Sequence, residues 1–148
     1  MATKLGVDVR SIRLLLEIGV TAAYEGLPAE GESIVRGVQT FRDDVPQPGV
    51  CLIGAFFFQK RYEEAIVEAK AVLKRFPNCQ MAKALLGLSM FDAGYRDWET
   101  PLKEVVDDGR DEWAINLAKT TLGYEYKSKT PGKQPPVASA PPANMFYA

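Results

Sequence analysis

Histidine is missing from all 148 positions. That removes the commonest zinc ligand and the commonest general base together. Cysteine occurs twice, at Cys51 and Cys79, in no metal-binding or redox spacing, so both are expected to be reduced, partly buried small residues. No run of apolar residues approaches the length of a membrane span, and no membrane insertion is expected. The opening Met1 to Gly6 holds one lysine and no long apolar stretch, so no conventional secretory signal is visible and a cytoplasmic location is expected. An excess of positive charge is missing too: the formal net charge is −1, and residues 1–127 alone carry −3. Nucleic-acid binding, which needs clustered Lys and Arg against phosphate, is therefore not expected. No glycine-rich loop follows a strand, and no nucleophile has a plausible base. The adjacent acids Asp43-Asp44, Glu63-Glu64 and Asp107-Asp108 fall at helix ends or on polar faces, where solvated charge is the usual state. No enzyme, cofactor or metal site is expected.

What the sequence does contain is helical periodicity interrupted by glycine and proline. Asp8 or Ser11 can cap a first helix running to about Tyr24, and Gly26-Leu27-Pro28 breaks it. A second helix is expected from about Ala29 to Phe41, followed by a loop through Asp43-Asp44, Pro46 and Pro48. Val50 to Gln59 is nearly all apolar and has the look of a buried strand, but its length and its place before the next helix argue for a helix buried on more than one side. Tyr62 to Phe76 carries Ala65, Ile66, Ala69, Val72, Leu73 and Phe76 at three- and four-residue intervals, and Pro77 stops it. Met81 to Ala93 is the next helix, and Thr100-Pro101 reads as a cap followed by a first-turn proline. Gly109 closes that helix, and Asp111 or Glu112 opens a last one through Leu122. From about residue 128 the composition changes: five of the ten prolines lie in the final 18 residues. Residues 1–127 are thus expected to form the domain, and 128–148 a proline-rich tail of flexible or polyproline character. Its last apolar group, Met145-Phe146-Tyr147, is expected to be an unstructured end, the alternative being that it docks onto a partner or back on the domain.

The stretch from Tyr62-Glu63-Glu64-Ala65-Ile66 to Phe76-Pro77-Asn78 resembles the second half of a tetratricopeptide repeat, a 34-residue helix pair. In the register this sets, Gly19 and Gly87 share the phase of the helix–helix contact, and Gly26 and Gly94 share the phase of the turn. The middle unit departs, with Ile53 and Lys60 at those two phases. The fold class this implies is all-α: a short tetratricopeptide-repeat-like superhelix of three helix pairs, beginning near Ile12, Pro46 and Gln80, plus a C-terminal closing helix. The same resemblance implies a partner-binding concave groove lined by the first helix of each pair. Its residues here are Leu16, Val20 and Tyr24, then Val50, Gly54, Phe57 and Phe58, then Met81, Ala84, Leu88 and Phe91. Lys, Arg and Asn, which would clamp a C-terminal carboxylate, are not at the relevant phases. An apolar groove floored by small residues suits an amphipathic helix, and in its absence self-association into a homo-oligomer would cover the exposed apolar area; the alternative is that these residues meet each other or the closing helix as ordinary core.

Two further segments carry a narrower likeness. Ala82-Lys83-Ala84-Leu85-Leu86, then Phe91-Asp92-Ala93-Gly94, Asp97-Trp98 and Glu104-Val105-Val106 with Asp107-Asp108-Gly109 resemble the C-terminal half of small tetratricopeptide-like proteins of bacterial type III secretion. Leu14-Leu15-Leu16-Glu17-Ile18-Gly19 also fits, so the resemblance spans roughly residues 12–123. The group includes an Hrp-associated family and is similar to the YscG/PscG needle-subunit chaperones. It implies a virulence-associated chaperone that holds the amphipathic helix of an exported needle-type subunit, often with a small helical co-chaperone, and prevents premature polymerisation. The alternative it leaves open is a structural component of the secretion apparatus, acting as an interaction scaffold in the periplasm.

Overall fold

The computed structural model describes residues 6–123, and within them every regular element is an α-helix. The expected tail, 128–148, lies outside the described residues. There are seven helices among those described: α1 (Val9–Tyr24), α2 (Pro28–Phe41), α3 (Gln47–Phe58), α4 (Tyr62–Arg75), α5 (Gln80–Ala93), α6 (Glu99–Asp108) and α7 (Glu112–Leu122).

The termini follow from local chemistry. Asp8 caps α1 by accepting a hydrogen bond from the Arg10 amide at 3.1 Å, and Asp111 caps α7 by accepting one from the Ala114 amide at 3.0 Å. Helix α1 therefore starts a turn before Ile12, where the first unit was expected to begin. Helix α4 has no side-chain cap but places Glu63 and Glu64 in its first turn and Lys74 and Arg75 in its last, the arrangement that complements the helix dipole. One boundary corrects the sequence reading. Thr100 is not a cap: α6 begins at Glu99, because the turn ending at Trp98 runs straight into the helix. Pro101 stands in the first turn, as expected.

Three backbone positions repeat at an interval of 34 residues. Gly26, Lys60 and Gly94 all have left-handed φ angles, of 97°, 60° and 82°. Each lies in the turn that joins an odd-numbered helix to the even-numbered helix after it. Glycine adopts this conformation freely, whereas Lys60 does so against the Cβ–carbonyl clash.

Helices pack with their neighbours in the chain, and each odd-numbered helix also packs on the next odd-numbered one: α1 on α3, α3 on α5, α5 on α7. Helix α3 is the centre, with every residue from Pro48 to Phe56 buried. That accounts for its unbroken apolar sequence: a helix covered on all sides has no polar face to keep. The α1–α2 pair is closest at two facing glycines, since a Cβ on Gly31 would stand 2.4 Å from the Gly19 carbonyl oxygen. A Cβ on Gly87 would stand 2.5 Å from Leu102 Cγ, so the same phase makes the α5–α6 contact. In the middle unit Ile53 takes this place and is fully buried.

On the even-numbered side the contacts are polar. Glu68 of α4, 9% exposed, accepts hydrogen bonds from Arg36 and Gln39 of α2 at 3.2 and 3.1 Å. Arg61 lies 4.6 Å over the Phe56 ring and bridges Glu32 of α2 and Glu64 of α4.

Candidate functional site

The expected groove residues divide into two sets. Leu16, Val50, Met81 and Ala84 are no more than 6% exposed, and Gly54 is buried as well. In the free chain these five are core and offer a partner little surface, Val50 and Met81 also lining the cavity described below. The accessible set is narrower. Tyr24 and Phe91 are about half exposed, at 52% and 47%, while Val20, Phe57, Phe58 and Leu88 are partly covered.

The aromatic members gather at one end of the fold, where odd-numbered helices finish. Tyr24, last in α1, meets Phe58, last in α3, edge to face with ring centroids 5.9 Å apart. Phe58 meets Phe57 at 5.7 Å, and Phe57 meets Tyr62, first in α4, at 5.5 Å. In the third unit Phe91 packs edge-on against Trp98 at 4.7 Å. The Tyr95 hydroxyl donates to Glu63 Oε2 at 2.9 Å and ties the α5–α6 turn to the start of α4. That bond to a carboxylate raises the Tyr95 phenol pKa above its ordinary value. Six rings thus form two clusters, Tyr24–Phe58–Phe57–Tyr62 and Phe91–Trp98, which together with Tyr95 make a ledge across three helix ends, each ring pair in the tilted or edge-on geometry that its quadrupole favours.

Tyr62, Tyr95 and Trp98 belong to this ledge and were not among the residues read as groove lining. Their signal was available: each follows a turn whose phase the glycines had marked. They lie outside the odd-numbered helices, to which the repeat phases assign the groove.

At the opposite end, a cavity of about 250 Å³ lies between the first residues of α3, α5 and α7, with Gln47, Val50, Gln80, Met81 and Trp113 in its wall. It shows that these three helices start side by side. Cys79 borders it half-buried, and Cys51 is fully buried in α3. Burial pushes both thiols up from their ordinary range, which leaves them protonated and poorly nucleophilic. Among the described residues no group of three or more His, Cys, Asp or Glu side chains could hold a metal ion, and no helix is long and apolar enough to cross a membrane.

No family model, curated protein or solved structure matches the chain significantly. A ledge of partly exposed rings beside half-covered aliphatic residues offers apolar area and ring faces, and this is the chemistry of binding a peptide segment.

Proposed function

We propose that the chain is a tetratricopeptide-like chaperone of type III secretion, which holds the amphipathic helix of an exported needle-type subunit against its odd-numbered helices. One observation carries the reading: Tyr24 and Phe91 are about half exposed, and Val20, Phe57, Phe58 and Leu88 partly so, along three consecutive odd-numbered helices, which leaves apolar surface for a partner to cover. The left-handed turns at Gly26, Lys60 and Gly94 support the repeat assignment on which it rests. Binding on this face sequesters the apolar stripe that the subunit would otherwise use to polymerise. A small helical co-chaperone belongs to the same reading, as does work in the cytoplasm before export.

The competing reading, a scaffold within the secretion apparatus, draws support from a different surface. Leu14, Leu15 and Ile18 are exposed on α1, the first helix among the described residues. A scaffold built from like subunits would use that face.

The test is a set of single substitutions measured against a synthetic amphipathic needle-type helix. Tyr24→Asp and Phe91→Asp should each weaken binding at least tenfold, since full burial of an aromatic side chain is worth roughly 1.5–3 kcal/mol and the new carboxylate faces an apolar partner. Lys70→Asp, on the exposed side of α4, should leave it unchanged. Melting temperature is recorded for each protein, and because both aromatic positions are about half exposed the variants should stay folded. Native affinity in folded Tyr24→Asp and Phe91→Asp proteins would overturn the chaperone reading, and loss of self-association in Leu14→Asp alone would favour the scaffold.

A further inference from the structure

The ledge has a candidate occupant within the chain itself. Helix α7 starts at the cavity end beside α3 and α5 and packs along α5, so Gly123, which follows it, emerges toward the aromatic end. Twenty-five residues follow Gly123, and they carry Pro135-Pro136 and Pro141-Pro142. Proline-rich segments favour the polyproline II helix, and aromatic-lined surfaces are the sites that recognise it.

Dimensions agree on both sides. The two proline pairs are six residues apart, which is two whole turns of a three-residue helix, so in a polyproline II conformation both pairs would stand on one edge, about 19 Å from each other. Neighbouring packed helices lie about 8–10 Å apart, so Tyr24 of α1, two odd-numbered helices from Phe91 of α5, is about 16–20 Å from it, and Phe58 of α3 stands between them. Eleven residues separate Gly123 from Pro135, with a reach of roughly 40 Å, more than enough to return across α5.

Charge agrees as well. Residues 128–148 hold Lys129 and Lys133 and no acid, while the ledge is bordered by the exposed acids Glu25, Glu63, Asp92 and Asp97 against the exposed cations Lys60 and Arg96.

We propose that the proline-rich tail docks in cis as a polyproline II strand across the aromatic ledge, with Pro135-Pro136 on Phe91 and Trp98 and Pro141-Pro142 on Tyr24 and Phe58. It occupies one end of the face assigned above to a partner helix, yet it does not rest on that assignment. Docking is intramolecular, so the tail acts as an internal competitor that any ligand of this face must displace.

The experiment compares amide and indole resonances of the full chain with those of a full-chain variant in which Pro135, Pro136, Pro141 and Pro142 are all serine. The expected result is a set of shift changes confined, within the helical domain, to the ledge. Trp98 indole N–H should move and Trp113, at the cavity end, should not. Changes limited to the tail's own resonances would overturn the proposal. Inserting one alanine after Ala138 turns the second proline pair by a third of a turn, and should reproduce the changes at Tyr24 and Phe58 while sparing Phe91 and Trp98. No effect of the insertion would overturn the two-turn register. Tenfold dilution should change nothing; if it mimics the serine variant, the tail sits on a second copy and docking in cis is wrong. The two proposals part in a final titration, in which the serine variant should bind the needle-type helix severalfold more tightly than the parent. Ledge shifts without helix binding would sink only the chaperone reading, and helix binding without ledge shifts would sink only the tail.

Discussion

Lys60 holds a backbone conformation that its two counterparts, Gly26 and Gly94, adopt without a Cβ. An L-residue in the left-handed region costs about 1–2 kcal/mol, part of which glycine returns as greater freedom in the unfolded chain. Lys60→Gly should therefore raise stability by roughly 0.5–1 kcal/mol, seen as a melting temperature about 2–5 °C higher. Gly94→Ala should lower stability by about 1 kcal/mol or more at the equivalent site. Equal effects of the two substitutions would contradict the account. A second residue-scale effect depends on pH. The Arg61 guanidinium, hydrogen-bonded to Glu64, holds that carboxyl below its ordinary range. A lowered folded-state pKa stabilises the fold above the unfolded value, and the contribution disappears as pH falls through the folded one. Arg61→Ala should thus flatten the acid side of the stability profile from about pH 5 downward, by less than about 1 kcal/mol because the pair is solvent-screened. Denaturant midpoints at a series of pH values measure it.

At the scale of the element, helix α3 and the glycine contacts were legible in the sequence because each leaves a chemical mark. A helix buried all round must be apolar throughout, and two helices that touch backbone to backbone must spend glycine at the contact. Gly31→Ala puts a methyl group against the Gly19 carbonyl and the Ala23 backbone, none of which can swing aside, so it should destabilise by about 1–3 kcal/mol. Gly37→Ala, on the same helix and facing open space, should stabilise by roughly 0.5–1 kcal/mol, and urea unfolding of both proteins tests the contrast. The start of α6 was less legible, since Thr100-Pro101 has the chemistry of a cap, but the Phe91–Trp98 ring contact lies across the turn where the helix begins. The groove floor was less legible for a related reason. Apolar residues at groove phases look alike whether they meet a ligand or the next helix, and only packing distance separates Tyr24 from Leu16.

For the whole molecule, the substantial contacts join helices adjacent in sequence or next but one, and none closes the first helix onto the last. Such a chain has no single event on which its stability depends. Helices α3, α4 and α5 are flanked on both sides, whereas α1 meets neighbours on one side only and exposes Val9, Leu14, Leu15 and Ile18. Amide hydrogen exchange should accordingly be slowest in α3 to α5 and at least tenfold faster in α1. Uniform protection across all the helices would contradict this. The contact pattern also bears on how the chain leaves the folded state under force. Pulled from its N-terminus, the protein should yield helix by helix, α1 and α2 first, each release small and short-ranged, because every departing helix takes only its nearest contacts with it. A strand locked across a sheet resists until it breaks all at once; this chain should peel, and thread through a narrow opening with little mechanical resistance.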